Sequence, residues 1–241
     1  MSGWAVRVPA SSANLGAGFD VLGMALALHA EIGCGAPPDG AQVADEHHPA
    51  TIAFRRLAGE GDLWVRSKIP MGRGLGFSGA VRVGGAAAAI VQRDGAVALD
   101  TSGGPEEVLA VATELEQHAD NAAASLHGGL VVATAGVVTE VRLAFDPAVV
   151  VWVPGAATTS TDHSRTTLAD QVSRDDAVFN LGRVAMFVAA CTNGDAGALR
   201  EATRDRLHQD VRLANVPQSE AAMQAGLAAG AWATWLSGSG P

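Results

Sequence analysis

Apolar and polar residues along this 241-residue chain form short stretches of two kinds. Alternating or β-branched apolar stretches predict strands, and longer stretches with one apolar face predict helices. The predicted strands are 5–9, 62–69, 129–135, 137–143, 149–153 and 231–236, and residues 11–20 read as a glycine-rich turn. The predicted helices are 51–57, 80–92, 105–117, 122–126, 177–191, 196–206 and 219–229. We therefore expect a mixed fold, divided near Pro147 into the segments 1–147 and 148–241.

Two of the predicted helices contain residues that indicate how the helix begins or how closely it packs. In the helix 105–117, Ser102 can act as the N-cap and Pro105 suits the first turn. In the helix 80–92, Gly84 and Gly85 each cost about 1 kcal/mol relative to alanine. Close packing of this helix against a neighbour would explain the two glycines.

Composition excludes several classes of protein. The chain is 48% hydrophobic, so it can bury a sizeable core, and its formal net charge of −9 disfavours nucleic acid as a partner. Cys34 and Cys191 are the only cysteines and form no CxxC, which disfavours a disulfide framework or a zinc site. We see no signal peptide and no apolar stretch long enough to span a bilayer, so we expect a cytoplasmic protein with no membrane partner.

The lysine content limits how the chain could bind ATP. Lys68 is the only lysine, and it does not stand in a GK[ST] sequence. A Walker A loop and a protein kinase both need a lysine at the nucleotide phosphates. An ATP site in this chain must therefore hold the phosphates mainly with backbone N–H groups.

The densest glycine cluster lies between a predicted strand and a predicted helix. Residues 70–80 read PMGRGLGFSGA. Such a loop can aim successive N–H groups at one anion, and the following helix adds its dipole. Ser78 at the helix start can supply a hydroxyl to a phosphate-bound Mg²⁺. The alternative is an ordinary turn before a capped helix.

The same cluster contains a second pattern. Residues 74–79 match GxGxxG, and Asp94 lies at the spacing of a dinucleotide-binding fingerprint. However, Pro70 ends the preceding strand, and residues 71–73 intervene before the turn. A dehydrogenase is therefore kept only as a minor alternative, which would require tight NAD binding and no ATP binding.

Several motifs in fixed order resemble those of one known family. The stretch 8–23 reads VPASSANLGAGFDVLG, residues 118–121 read HADN before a Gly-Gly pair, and further matches are 70–80, 160–165, 177–183, 205–212 and 236–241. This set resembles the GHMP kinases, in the form found in homoserine kinases. Because the chain stops within the last of these motifs, at 236–241, we expect it to be a C-terminally truncated sequence.

The resemblance implies an α+β fold and an activity. It implies an N-terminal domain akin to ribosomal protein S5 domain 2 over 1–147 and an incomplete ferredoxin-like domain over 148–241, with ATP bound between them. The γ-phosphate would pass, with Mg²⁺, to the hydroxyl of homoserine, which gives O-phosphohomoserine on the path to threonine. The small-molecule partners would be homoserine and ATP, and a homodimer is compatible with the resemblance.

The resemblance also implies roles for individual residues. The resemblance assigns ATP binding to Pro70, Gly72, Arg73, Gly74, Leu75, Gly76, Phe77, Ser78, Gly79 and Ala80. It assigns acceptor binding to Asn14, Asp20, His118, Asp120, Thr161, Arg165 and Arg212. Arginine suits the carboxylate of the amino acid because it can bind in a bidentate manner. Taken alone, the polar residues could instead be turn, capping or surface residues.

Catalysis and metal binding follow from the same resemblance. Asn14, Asp20 and Asn121 are the expected catalytic residues, and Ser78 with Glu114 are the expected metal ligands, with Glu116 as a rival. Asn121 stands where some relatives place an aspartate, and an amide cannot act as a general base. Catalysis would then rest on positioning and charge neutralisation.

One departure from the pattern keeps other functions open. Relatives commonly read GLGSSA where this chain has GLGFSG, so Phe77 replaces a hydroxyl with a ring. The alternatives to a homoserine kinase are a GHMP kinase for another small alcohol and a catalytically silent GHMP-fold nucleotide-binding protein. Retained ATP binding without turnover would identify the silent protein.

Overall fold

The core of the fold is an antiparallel sheet built around one long hairpin. The computed structural model describes residues 3–101, 103–134, 136–155 and 167–240. The strands are β1 (Trp4–Asn14), β2 (Gly18–Cys34), β3 (Gln42–Ala44), β4 (Leu63–Ser67), β5 (Leu130–Thr134) and β6 (Val137–Val141). β2 pairs with β1 along one edge, and its other edge is shared by β5 and β4. The remaining strands complete the order β3-β4-β2-β5-β6.

Helices cover this sheet and continue the chain beyond it. Those in the described residues are α1 (Pro49–Arg56), α2 (Phe77–Asp94), α3 (Gly104–Glu116), α4 (Asp120–His127), α5 (Arg174–Asn193), α6 (Leu199–Ala202), α7 (Gln209–Leu213) and α8 (Pro217–Ala228). α2 is the central one, with most of its residues from Gly79 to Ile90 buried. None of the helices in these ranges is both long and apolar enough to cross a membrane.

The two glycines inside α2 allow the close packing that the sequence led us to expect. A Cβ on Gly85 would lie 2.0 Å from the carbonyl oxygen of Ala50 on α1. A Cβ on Gly84 would lie 2.3 Å from the side chain of Ile32 on β2. Larger residues at these positions would push α2 away from its neighbours, so that prediction is confirmed.

Most predicted elements are confirmed, and the errors have physical reasons. The glycine-rich stretch 11–20 is mainly strand, because β1 and β2 run into its turn from both sides. The run 149–153 and the stretch 231–236 form no regular strand, since neither pairs with another strand among the described residues. The helix 196–206 stops at Ala202, and Asp205 instead accepts hydrogen bonds from the backbone N–H groups that begin α7. Ser102, the expected cap, lies outside the described residues; Gly103 is the N-cap of α3.

The dinucleotide-binding alternative is wrong, and the α+β class is confirmed. The strands of the sheet pair antiparallel, whereas that fingerprint belongs to a parallel sheet. Asp94 ends α2 and pairs with its neighbour Arg93, so it does not follow a second strand. Beyond residue 148 the described ranges contain helices α5–α8, and the ferredoxin-like domain and the boundary at Pro147 stay predictions.

Candidate active site

The turn between β1 and β2 has an unusual backbone and is fixed by side chains. Asn14, Leu15 and Asp20 have positive φ values of 70°, 47° and 57°. Non-glycine residues in this region carry strain, and such strain is concentrated at functional sites. The side-chain oxygen of Asn14 accepts a hydrogen bond from the Asp20 amide (3.1 Å), and its nitrogen donates to the carbonyl of Gly238 (2.9 Å).

Residues distant in sequence hold the same turn from the other side. His208 Nε2 lies 2.8 Å from the carbonyl oxygen of Gly16, and Asn180 donates to the carbonyl of Ala17 (3.1 Å). A Cβ on Gly16 would lie only 2.2 Å from the carbonyl oxygen of Thr203. The first motif is therefore positioned by the helical part of the chain as well as by its own hairpin.

The glycine-rich loop has the geometry of an anion site. Gly72, Gly74 and Gly76 all have φ values near the left-handed region, at 64°, 67° and 65°. The N-cap of the 18-residue α2 is Gly76, and none of the described side chains caps this end of the helix. The alternative of an ordinary turn before a capped helix thus lacks its capping side chain among the described residues, while the ATP-binding role of the loop stays a prediction. The first amides of α2 have no side-chain cap and can bind an anion such as a phosphate.

The third motif packs directly on this loop. Ser237 donates through its hydroxyl to the carbonyl of Gly74 (2.6 Å), and a Cβ on Gly74 would lie 2.2 Å from the Ser237 carbonyl oxygen. The Gly238 amide donates to the carbonyl of Ala13 (3.2 Å). The three glycine-containing motifs thus meet at one place. The cleft there is lined by Ala13, Asn14, Phe19, Asp20, Pro70, Gly72, Arg73, Gly74, Leu75, Gly76, Phe77, Ser78, Gly79, Glu116, His118, Asp120, Asn121, Arg212, Gly238 and Ser239.

The metal-ligand prediction needs one correction. Ser78 donates through its hydroxyl to Glu116 Oε1 (2.6 Å), and the Glu116 side chain is only 9% exposed. Glu114 lies elsewhere: its carboxylate pairs with Arg56 (2.8 Å), and its side chain is 57% exposed. The structure therefore does not bring Glu114 to Ser78, and the rival Glu116 takes its place.

A second group of ionisable residues lies beside this pair. Ligand atoms of Asp20, His118 and Asp120 all lie within 4.8 Å of one another. His118 Nδ1 is 2.7 Å from Asp120 Oδ1. Burial opposes a charge on the imidazole, but the hydrogen bond to Asp120 and the charges of Asp120, Glu116 and Asp20 outweigh it and raise the pKa of His118. The group is chemically suited to a cation, either a metal ion or an ammonium.

Asn121 and Arg212 are held by specific partners. Asn121 accepts through its side-chain oxygen a hydrogen bond from Ser11 (2.8 Å), and a Cβ on Gly76 would strike the same Ser11 hydroxyl at 2.1 Å. Arg212 donates to the Gly238 carbonyl (3.0 Å), and its guanidinium lies 5.4 Å from the centre of the Phe19 ring. Ser11 supports the site and was not singled out from the sequence, although it belongs to the first motif.

Phe77 and Arg73 of the glycine-rich loop contact residues outside the loop. The Phe77 ring packs edge-on against His48 with centroids 6.3 Å apart, so the substitution adds an apolar contact. Arg73 donates to the carbonyls of Pro154 and Gly155. Ala80 is buried one turn into α2. Thr161 and Arg165, two of the predicted acceptor-binding residues, lie outside the described residues.

Comparisons with known proteins agree with the motifs. The family described as GHMP kinases N terminal domain matches residues 46–129. The chain is 37% identical to a homoserine kinase of Caldanaerobacter subterraneus subsp. tengcongensis, covering 100% of this chain and 83% of that protein. It is 40% identical to a homoserine kinase of Gloeobacter violaceus, over 98% of this chain and 85% of that one. The crystal structure of homoserine kinase from Cytophaga hutchinsonii superposes with a TM-score of 0.78 at 24% identity, covering 100% and 84% of the two chains.

Proposed function

The chain belongs to the homoserine kinases of the GHMP kinase family, and from this premise we propose that it transfers the γ-phosphate of ATP to the hydroxyl of L-homoserine. The observation that carries the proposal is the meeting of the phosphate-type loop with the polar residues of the first motif in one cleft. The donor and the acceptor would then be held side by side. Bringing two reactants together in the right orientation can supply a large part of a rate enhancement.

The nucleotide phosphates would lie on the loop 72–79 and the start of α2. The backbone amides and the helix dipole there favour an anion, and no lysine is needed. The loop is braced by two hydrogen bonds, from the Ser11 amide to the carbonyl of Leu75 (3.2 Å) and from the Ser237 hydroxyl to the carbonyl of Gly74. This bracing keeps the amides fixed before the nucleotide arrives, so that little reorganisation is needed during the reaction.

The acceptor would be recognised at its two charged ends. The carboxylates of Asp20 and Asp120 suit the ammonium of an amino acid, and the guanidinium of Arg212 suits its carboxylate. Thr161 and Arg165 are proposed to complete the carboxylate site. A neutral sugar would offer no charge to either kind of group, and an anionic isoprenoid precursor such as mevalonate would offer no positive charge to the carboxylates, which favours an amino-acid acceptor.

The residues present fit a magnesium ion. Mg²⁺ prefers oxygen ligands and is usually bound by one or two protein groups besides phosphate oxygens. The Ser78 hydroxyl and the Glu116 carboxylate offer two oxygens in the cleft. When bound, the ion would supply charge neutralisation at the transferred phosphate.

Asn121 suits a mechanism in which no general base stands at this position. Its side-chain oxygen is engaged by Ser11, and an amide does not take up a proton at neutral pH. Asp20 lies in the cleft and would orient the homoserine hydroxyl. Positioning and electrostatic stabilisation are the main contributions that proteins make to phosphoryl transfer.

The test is ADP release measured with Mg·ATP and a panel of acceptors. We expect turnover with L-homoserine and only background with mevalonate, galactose or no acceptor. Turnover specific to another alcohol would favour a different GHMP kinase. ATP binding without turnover on any acceptor would favour the silent nucleotide-binding protein.

A further inference from the structure

A positively charged side chain already occupies the carboxylate that the magnesium ion would use. Arg82 lies on α2 one turn after Ser78, and its Nη1 contacts Glu116 Oε1. The same oxygen accepts the hydrogen bond of Ser78 at 2.6 Å. The two proposed metal ligands are therefore engaged with each other, and Glu116 is also engaged with a guanidinium.

This pair differs from two other arginine–glutamate pairs made by residues of α2 and α3. Arg93–Glu107 and Arg56–Glu114 have side chains between 44% and 57% exposed, as expected for solvated pairs. The side chains of Arg82 and Glu116 are only 20% and 9% exposed. Arg82 Nε is also buried and has no hydrogen-bond partner among the described residues. Arg82 thus places a desolvated charge beside the carboxylate, where electrostatic effects are strong.

We propose that Arg82 competes with the divalent cation for Glu116, so that it sets the metal concentration at which the nucleotide complex forms. The proposal rests on the function proposed above, because that function assigns Glu116 to the metal. A guanidinium and Mg²⁺ bound to one carboxylate repel each other, even when they approach different oxygens. Metal binding must therefore displace Arg82 or work against its charge, and that requirement weakens the metal site.

Removing the charge of Arg82 tests the competition directly. We expect Arg82→Gln, which keeps a hydrogen-bond donor near Glu116, to tighten Mn²⁺ binding roughly ten-fold or more. The measurement is a Mn²⁺ titration followed by electron paramagnetic resonance, on protein saturated with a non-hydrolysable ATP analogue. Arg82→Met, which removes the charge from a side chain of similar length, should do the same if Arg82→Gln does not fold.

Arg93→Gln is the matched control. It removes one positive charge from the same helix, at a site where the partners are Asp94 and Glu107. Mn²⁺ affinity should remain unchanged in this variant. An equal gain in both variants would reveal only a general charge effect and would overturn the proposal.

A double-variant cycle connects the effect to Glu116. In a Glu116→Gln background, Arg82→Gln should no longer change Mn²⁺ affinity, because the shared carboxylate is gone. Unchanged or weaker Mn²⁺ binding in Arg82→Gln would overturn the competition. The titration needs no acceptor, so a protein with the expected Mn²⁺ shifts but without homoserine phosphorylation would contradict only the proposed function. Homoserine phosphorylation with an unshifted Mn²⁺ titration would contradict only the role of Arg82.

Discussion

The cleft combines carboxyl groups with the guanidinium of Arg212, and this mixture is what distinguishes an amino-acid site from a site for a neutral alcohol. Arg212 is 6% exposed and is oriented by the Gly238 carbonyl and His208. Asp20 is positioned through its own amide by Asn14. Each charged group is thus fixed by a neighbour before a substrate binds, which reduces the entropy lost on binding.

Shortening the arginine should weaken homoserine binding selectively. Arg212→Lys keeps the charge but cannot make two parallel hydrogen bonds to a carboxylate. We expect KM for homoserine to rise about ten- to a hundred-fold, with KM for ATP nearly unchanged. Steady-state kinetics with each substrate varied in turn measure both values. A homoserine KM that does not change would remove Arg212 from the acceptor site.

The charge of Asp20 can be removed without changing its shape. Asp20→Asn should raise KM for homoserine about ten-fold or more, because the ammonium loses a charged partner. A fall in kcat as well would indicate that Asp20 orients the hydroxyl. Near-full turnover at saturating homoserine would limit Asp20 to binding and argue against a chemical role.

The choice between two glutamates of α3 could not be predicted from the sequence. Glu114 and Glu116 are two residues apart on α3, so they point to nearly opposite sides of the helix. Only one of them can face Ser78, and the choice depends on which side of α3 packs on α2. The motif predicted that a glutamate lies beside Ser78, but which of the two glutamates it is depends on how α2 and α3 pack.

At the scale of elements, the loop and the helix that follows it act as one unit. Gly74 and Gly76 are needed for two reasons, since their φ values are positive and neighbouring atoms occupy the space of a side chain. The sequence made this unit recognisable because glycine spacing is a local property. The prediction of strands at 149–153 and 231–236 was wrong because an apolar or β-branched run becomes a strand only when a partner strand pairs with it.

A matched pair of glycine substitutions tests the loop. Gly76→Ala would place a Cβ 2.1 Å from the Ser11 hydroxyl, so we expect ATP affinity to fall at least about ten-fold. Gly95→Ala changes the other end of α2, where φ is also positive, 84°, but no atom of the described residues lies within 4 Å of the new Cβ. Because its φ and ψ of 84° and 166° lie in a region that essentially only glycine adopts, this control should lose about 1–3 kcal/mol of stability but no ATP affinity. Isothermal titration calorimetry with ATP and thermal unfolding separate the two effects.

At the scale of the whole molecule, the first motif depends on residues almost two hundred positions away. The Gly16 carbonyl can only accept a hydrogen bond, so His208 donates through Nε2 and its Nδ1 accepts from Arg212 (3.2 Å). One buried imidazole thus connects the β1–β2 turn to the proposed carboxylate site. Motif order predicted that these segments belong together, but nothing in the sequence indicated this contact.

The same imidazole makes stability depend on pH. Burial lowers the pKa of His208 below its ordinary 6.5, although the nearby Asp205 carboxylate partly opposes this. As pH falls below about 6.5, the unfolded chain therefore takes up a proton before the folded protein does, and the free energy of unfolding falls. In His208→Gln this part of the pH dependence should disappear. Urea unfolding of both proteins from pH 7.5 to pH 5 measures it, and equal slopes would contradict the assignment.

In the proposed reaction, the γ-phosphate of ATP passes to the hydroxyl of homoserine. The most direct measurement is ³¹P nuclear magnetic resonance of a reaction containing the protein, Mg·ATP and L-homoserine. We predict a new phosphomonoester signal coupled to the CH₂ protons next to the homoserine oxygen, which grows as the ATP γ-signal declines. Conversion of ATP to ADP and inorganic phosphate alone, or no loss of the ATP signal at all, would contradict homoserine phosphorylation.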